Sequence, residues 1–151
     1  MISFSRKLID AETWDRIIAV NLTGAVLCAR RAVRDMSEGG VIVNVSSAAA
    51  TRGAPHEYVH YAAAKAGVDA LTNGLAQEVA PRIRVFGVAP GVVRTGIHAD
   101  AGDASRPDRV AETVPMGRAG EPEEVAETIT WFLTGAPDYA TGATLRMGGG
   151  R

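Results

Sequence analysis

The residues that decide the fold are Val41-Ile-Val-Asn-Val45, which run directly into Ser46-Ser47. Apolar β-branched side chains stand at both parities of this short stretch, which predicts a strand buried on both faces, as in a parallel sheet. Because ligands bind beyond the carboxyl ends of the strands in open parallel sheets, the two serines mark a first candidate site. A second strand is predicted at residues 83–89, where Pro90-Gly91 ends it.

One long helical pattern precedes the first strand in the sequence, and a second one follows it. Asp10 is placed to cap a helix whose apolar residues recur from Trp14 to Met36. The second pattern runs from about Tyr58 to Ala80, and Pro81 breaks it. An apolar stripe predicts the face of this second helix that packs on the sheet, and its members are Ala64, Val68, Leu71, Leu75 and Val79.

The rest of the chain supplies a third helix and a third strand. A polar segment, residues 95–120, precedes a helix start at Glu121-Pro-Glu-Glu124, where acidic side chains stand at the positive end of the helix dipole. Residues 143–147 form a last short strand pattern. The order α-β-α-β-α-β predicts a single α/β domain over residues 1–151, with a doubly wound parallel sheet of about three strands.

The composition narrows the classes of partner. Hydrophobic residues make up 46% of the chain, the formal net charge is −1, and no block of like charge occurs. Neither nucleic acid nor a membrane is therefore expected as a partner, and no apolar run is long enough to span a bilayer. The single cysteine, Cys28, lies in the apolar stretch AVLCA. We expect an inert buried thiol and a reducing, cytoplasmic location.

One pair of side chains on the second helix has the spacing for proton transfer. Tyr61 and Lys65 are four residues apart, so they share a helix face. A free tyrosine has a pKa of about 10, and a neighbouring ammonium group lowers it, so that the phenol can exchange a proton with a hydroxyl or carbonyl group. Tyr58 has no such partner, because Ala62 stands four residues on. Taken alone, the spacing is weak evidence, and an ordinary solvated helix face is the better explanation.

The order of these features gives the pair its meaning, because the sequence resembles the classical short-chain dehydrogenase/reductase family along essentially the whole chain. The resemblance implies a partial Rossmann-like fold and an enzyme that interconverts an alcohol and a ketone or aldehyde with NAD or NADP. The matching pieces are Asn21-Leu-Thr-Gly24, Val43-Asn-Val-Ser-Ser47, Tyr61-Ala-Ala-Ala-Lys65, Pro90-Gly-Val-Val-Arg-Thr95, Thr141-Gly-Ala and Gly148-Gly-Gly150.

The resemblance also assigns roles to individual positions. Tyr61 would be the general acid and base, and Lys65 would lower its pKa and hold the ribose hydroxyls of the nicotinamide cofactor. Ser47 would stabilise the substrate oxygen, with Ser46 as a close competitor. Asn21 would hold a water that relays protons towards Lys65; its alternative is an asparagine that bends a helix.

A second set of positions would shape the pocket for the nicotinamide carboxamide. These are Pro90, Gly91, Val93 and Thr95. A plain turn from strand to loop is the alternative explanation for them.

The sequence departs from the family pattern at its beginning. The Thr-Gly-x-x-x-Gly-x-Gly turn that receives the cofactor pyrophosphate does not occur in these 151 residues. This departure favours a second hypothesis, a truncated and catalytically inactive remnant that acts as an oligomerising or interaction module. The strand at 41–45 is then expected at an open edge of the sheet.

Several further expectations concern partners. The apolar, alanine-rich surfaces of the first two helices predict a homo-oligomer. The polar segment 95–120 would be the family's flap over the substrate, and its composition suggests a polar small molecule such as a sugar or polyol. No metal is expected, since His56 and His60 have no evident third ligand. Arg94 and Arg118 are candidates to meet an anionic group, or ordinary surface residues.

Overall fold

The sheet has three parallel strands in the order β1-β2-β3. In the computed structural model, which describes residues 10–151, β1 is Gly40–Val45, β2 is Ile83–Pro90 and β3 is Thr144–Met147. Val45 lies opposite Val88 in the first pairing, and Pro90 lies opposite Met147 in the second. The sequence prediction of an α/β fold with about three parallel strands is confirmed. Residues 1–9 of the predicted domain lie outside the described residues.

Helices cover both faces of this sheet, as the buried strands predict. On one face, Ile42 and Val85 pack with Val79 of the helix α4, Val59–Val79. On the other face, Phe86 stacks on Phe132 of the helix α7, Pro122–Thr134, with 4.6 Å between the ring centroids. β2 is buried on both sides because it is the central strand.

The first helical pattern is not one regular helix. It consists of α1, Ala11–Ile18, a π-helical segment, Ala19–Thr23, and α2, Gly24–Asp35. Asp10 caps α1 as predicted, and its carboxylate accepts a hydrogen bond of 2.7 Å from the backbone N–H of Thr13. The π-helical segment was not predicted from the sequence, since apolar periodicity does not distinguish it from an α-helix.

The segments around α4 combine a predicted helix with an unpredicted one. A short helix α3, Ala49–Arg52, follows β1. In α4 the predicted stripe faces the sheet, with Ala64, Val68 and Val79 buried and Leu71 and Leu75 half-buried. The sheet-facing side of α4 is therefore the one that the sequence indicates.

The predicted flap, residues 95–120, contains two short helices. They are α5, Ile97–Asp100, and α6, Arg106–Ala111, in which Pro107 and Val110 are buried. After the flap, α7 begins with the expected acidic cap, in which Glu121 and Glu124 each accept a hydrogen bond from the other's backbone N–H. A 3₁₀ turn, Asp138–Ala140, precedes β3.

One expectation about the surface is wrong. Cys28 is exposed, not buried, because α2 turns this side of the helix away from the sheet while Ala29 faces inward. The same surface carries the exposed side chains of Val20, Val26 and Leu27. Within residues 10–151, no helix combines the length and the apolarity that a membrane crossing needs.

Candidate active site

The carboxyl ends of β1 and β2 meet and bring the two predicted loop motifs together. The backbone N–H of Ser46 donates to the Val88 carbonyl at 2.7 Å, and that of Ala48 donates to the Pro90 carbonyl at 2.8 Å. The serine pair therefore lies directly beside Pro90-Gly91. This is the edge where open parallel sheets bind ligands.

The structure separates the two candidate serines. Ser46 is only 3% exposed, and its hydroxyl donates to the backbone carbonyl of Lys65 at 3.1 Å. Ser47 Oγ accepts from the backbone N–H of Ala49 at 3.1 Å, and the Ser47 side chain lies close enough to Tyr61 to lower the pKa of its phenol. Ser46 therefore fastens β1 to α4, while Ser47 faces the tyrosine.

Tyr61 lies in a partly buried position near the amino end of α4. Burial raises the pKa of Tyr61 above its usual value, and the hydrogen bond with Ser47 opposes part of that increase. The sequence led us to expect a pKa lowered by Lys65. In the structure burial dominates, because it disfavours the charged phenolate. The Tyr61 phenol is thus held in its protonated form, ready to donate.

Lys65 lies one turn along α4 from Tyr61, where it is near both the tyrosine ring and the end of β1. Its Nζ is 5.6 Å from the centroid of the Tyr61 ring and donates to the Val45 carbonyl at 3.0 Å. Burial lowers the pKa of Lys65, and the charge of Asp69 opposes that change. Since an ammonium group has three donors, two of them are not used by the Val45 carbonyl.

The Val45 carbonyl that binds Lys65 belongs to the outer side of β1. The backbone N–H of Ser46 is directed at β2, and alternate residues of a parallel strand face opposite neighbours. Val45 therefore faces away from β2. Within the described residues no strand pairs with this side, and the open edge expected from the sequence is confirmed.

Asn21 lies in the π-helical segment, and its side chain stays within its own helix. The Nδ2 donates to the Ile17 carbonyl at 3.1 Å, as expected of an asparagine that perturbs a helix. The segment packs closely on α4, because a Cβ added at Gly67 would lie 2.8 Å from Leu22 Cδ2. Asn21 is thus positioned on the helix that lies against the Tyr61 and Lys65 helix.

The four predicted pocket residues follow β2. The backbone N–H of Gly91 donates to the Met147 carbonyl at 2.8 Å, and a Cβ at Gly91 would meet the Gly148 Cα at 3.2 Å. Val93 forms an isolated bridge with Gly120 and lines a cavity of about 370 Å³. Thr95 is exposed at the start of the flap. Pro90, Gly91 and Val93 therefore lie at the carboxyl edge, while Thr95 lies farther out.

The two arginines considered for anion binding are already paired. Arg94 contacts Asp108 at 2.7 Å and Glu121 at 3.4 Å. Arg118 forms two hydrogen bonds with Glu124, which hold the pKa of that carboxyl at about 2. Of the two explanations given for these arginines, surface ion pairs are the one the geometry favours.

Asp69 is a site residue that the sequence reasoning missed. Its Oδ1 is buried, and within the described residues it has no hydrogen-bond partner. The sequence could have predicted that Asp69 is close to Lys65, since Asp69 follows Lys65 by four residues and shares its helix face. Within residues 10–151, no three His, Cys, Asp or Glu side chains lie close enough together to hold a metal ion.

The parallel sheet with helices on both faces, and a tyrosine and a lysine beside its carboxyl edge, define a Rossmann-like α/β protein. A family model described as enoyl-(acyl carrier protein) reductase matches residues 5–151. The uncharacterised oxidoreductase YgfF of Escherichia coli K12 is 46% identical in an alignment 149 positions long, which covers 95% of this chain and 60% of that protein. The 3beta-hydroxysteroid dehydrogenase 1 of Eggerthella lenta is 42% identical over 144 residues, 92% of this chain and 55% of that protein.

Solved structures agree with the sequence relatives. The short-chain dehydrogenase/reductase of Brucella melitensis, described as a glucose/ribitol dehydrogenase, has a TM-score of 0.85 and 34% identity, and the match covers 93% of this chain and 57% of that one. The promiscuous reductase LugOII has a TM-score of 0.83 and 36% identity over 94% of this chain and 56% of its own. The chain belongs to the short-chain dehydrogenase/reductase family, and it spans about 55–60% of the length of these relatives.

Proposed function

We propose that this chain carries the proton-transfer side of an NAD(P)-dependent oxidoreductase site, which interconverts an alcohol and a ketone or aldehyde on a polar small molecule. The observation that carries the proposal is the cluster of Ser47, Tyr61 and Lys65 at the carboxyl edge of the sheet. Ser47 lies close enough to Tyr61 to lower the pKa of its phenol, and Lys65 Nζ lies one turn along α4, 5.6 Å from the centroid of the tyrosine ring. A substrate oxygen placed against these two hydroxyls would meet one hydrogen-bond donor and one proton source.

In the reducing direction, Tyr61 would donate its proton to the carbonyl oxygen, and the reduced cofactor, when bound, would supply the hydride for the carbonyl carbon. In the oxidising direction, the Tyr61 phenolate would take the hydroxyl proton, and the oxidised cofactor would accept the hydride. A raised pKa of Tyr61 favours the protonated donor at neutral pH. Ser47 holds the substrate oxygen and stabilises the charge that develops on it.

The residues present fit the nicotinamide half of a dinucleotide. NAD or NADP would supply or accept the hydride. Lys65 has donors left for ribose hydroxyls, and Pro90, Gly91, Val93 and Thr95 would shape the carboxamide pocket. The close approach of Gly91 to Gly148 leaves no room for a side chain there, which supports a role for the backbone in that pocket.

The preference for a polar substrate rests on the composition of the flap and on the cavity beside Val93, whose lining does not include Ser47, Tyr61 or Lys65. Apolar side chains such as Val114, Met116 and Met147 line it together with the charged Arg118 and Arg146. A mixed lining of this kind suits a small molecule that carries several oxygens, and no nucleic acid or membrane partner is required.

The single thiol, Cys28, is exposed, which fits a reducing compartment such as the cytoplasm.

The second candidate is an inactive remnant that acts as an interaction module. The open edge of β1 within the described residues favours it, since an unpaired strand edge is a template for pairing with another chain.

The experiment that tests the proposed chemistry is a comparison of wild type with Tyr61→Phe, followed by nicotinamide absorbance with a panel of ketones and sugars. Loss of the proton donor should reduce turnover by a factor of about 100 or more and leave cofactor affinity nearly unchanged. Tyr58→Phe is the matched control on the same helix and should retain activity. Equal loss in both variants, or full activity of Tyr61→Phe, would show that Tyr61 is not the proton donor.

A further inference from the structure

A bidentate ion pair joins the flap to the segment that leads into the Tyr61 helix. Arg106 of α6 donates two hydrogen bonds to Glu57, at 2.8 Å to Oε1 and 2.6 Å to Oε2. The Arg106 side chain is only 17% exposed, and that of Glu57 is 36% exposed. A partly buried, two-pronged pair of this geometry is stronger than an ordinary surface ion pair.

The same arginine also contacts the residue at which α4 begins. Its Cζ lies 5.4 Å from the centroid of the Tyr58 ring. Tyr58 in turn packs edge-on against His60, with 6.3 Å between the ring centroids. Since Tyr58 is the N-cap residue of α4 and makes no side-chain cap hydrogen bond, Arg106 and His60 are what hold its ring in place.

The loop that carries Glu57 has an unfavourable backbone. Ala54 and His56 have positive φ angles of 43° and 64°, in the left-handed region that residues with a Cβ rarely occupy. Such a conformation persists only where surrounding contacts hold it. The Glu57–Arg106 pair is the contact at the end of this loop, three residues from Ala54.

The other ion pairs near the flap do not reach the segment before α4. Asp108 of α6 pairs with Arg94, which directly precedes the flap and also contacts Glu121. Arg118 contacts Glu124 of α7. Arg109 contacts Asp103 within the flap. Of the ion pairs found in residues 10–151, the Glu57–Arg106 pair is the one that joins the flap to the segment before α4.

We propose that Glu57 and Arg106 are positioning residues, which hold the flap against the amino end of α4 and so keep the substrate side of Tyr61 and Ser47 covered. Neither residue touches the reacting atoms. The effect of the Glu57–Arg106 pair on turnover rests on the proposed oxidoreductase function, whereas its effect on the position of the flap does not.

The test measures hydrogen exchange of the flap amides, residues 97–113, in the full chain. The variants are Glu57→Gln, Arg106→Lys, which keeps the charge but loses the two-pronged geometry, and the charge swap that combines Glu57→Arg with Arg106→Glu. Each single variant should speed exchange in the flap by roughly fivefold to tenfold, since one partly buried charge-assisted contact is lost. The swap should recover part of the protection. The control is Asp35→Asn, which breaks an exposed ion pair with Arg31 on α2 and should leave flap exchange unchanged.

Flap exchange within twofold of wild type in both single variants would overturn the proposal, and so would a swap that protects the flap no better than either single change. Hydrogen exchange can be measured without turnover. If the wild-type chain is inactive but the single variants exchange their flap amides faster, the result counts against the proposed function and not against the role of the ion pair. In an active chain, the single variants should raise KM more than they lower kcat. A fall in kcat at unchanged KM would contradict a positioning role.

Discussion

At the scale of single residues, Ser46 and Ser47 show how adjacent and identical side chains acquire different tasks. Ser46 is buried and donates to the Lys65 carbonyl, while Ser47 lies beside Tyr61 and lowers the pKa of its phenol. The sequence could place both at the end of a buried strand. It could not assign them, because the direction of each hydroxyl depends on how the chain leaves β1 and enters α3.

The two serines give a paired prediction. Ser47→Ala should lower kcat by a factor of about 100 to 1,000, since one donor to the developing charge is lost. It should also lower the free energy of unfolding by about 1 kcal/mol, because the hydrogen bond from the Ala49 N–H is lost. Ser46→Ala should lower the free energy of unfolding by about 1 kcal/mol, the usual net loss for one hydrogen bond, with activity largely retained. Denaturant unfolding and steady-state kinetics on both variants check this. The opposite pattern would exchange the roles of the two residues.

Tyr61 gives a prediction on titration. Because burial raises the pKa of Tyr61 while Ser47 lowers it, removal of the Ser47 hydroxyl should raise that pKa further. The near-ultraviolet phenolate signal, taken as the difference between wild type and Tyr61→Phe, should therefore begin at a pH above the usual tyrosine range of about 10, and later still in Ser47→Ala. A phenolate signal from Tyr61 near neutral pH in the unliganded chain would contradict the burial argument.

At the scale of elements, the sequence predicted the strands and the three long helical patterns well. β-branched runs and apolar stripes report directly on burial, and burial is what decides β1, β2, α4 and α7. The π-helical segment at 19–23 and the short α3 were not predicted, because both depend on local hydrogen bonds, such as that of Asn21 to Ile17, rather than on periodicity.

Two glycines of α4 test the close packing of that helix. A Cβ at Gly67 would meet Leu22 at 2.8 Å, whereas one at Gly74 meets nothing within 4 Å. Gly74→Ala should therefore stabilise the chain by about 0.4–1 kcal/mol through reduced backbone entropy of the unfolded state. Gly67→Ala should be less stable than Gly74→Ala by about 1 kcal/mol, because the Leu22 methyl groups must shift to make room, and Leu22→Ala in addition should remove that difference. Equal stability changes at the two positions would show that α4 does not pack tightly on the π-helical segment.

At the scale of the whole molecule, the main feature is the outer edge of β1. The order of the three strands followed from the alternation of helices and strands and from the family resemblance. That Lys65 donates to an edge carbonyl did not follow, because a spacing of four residues reports only a shared helix face. The chain spans about 55–60% of the length of its relatives.

The exposed helix surfaces predict association of the molecule. Trp14, Val20 and Leu27 are 43%, 70% and 55% exposed on α1, the π-helical segment and α2, and apolar surface of this kind is usually covered by another chain. We expect a homo-oligomer at micromolar concentration in sedimentation velocity, with Val20→Asp and Leu27→Asp shifting it towards the monomer. A wild-type chain that sediments as a stable monomer would contradict this.

The most direct test of the central claim, that Ser47, Tyr61 and Lys65 form a nicotinamide-dependent site, is a titration of the purified chain with NADH and NADPH. Nicotinamide fluorescence and the thermal midpoint are followed together, for wild type and for Lys65→Met. The account predicts saturable binding of one of the two cofactors, a rise in the thermal midpoint, and a loss of affinity of roughly tenfold in Lys65→Met, as expected for charge-assisted hydrogen bonds. A folded wild-type chain that binds neither cofactor would contradict the account and favour the inactive interaction module.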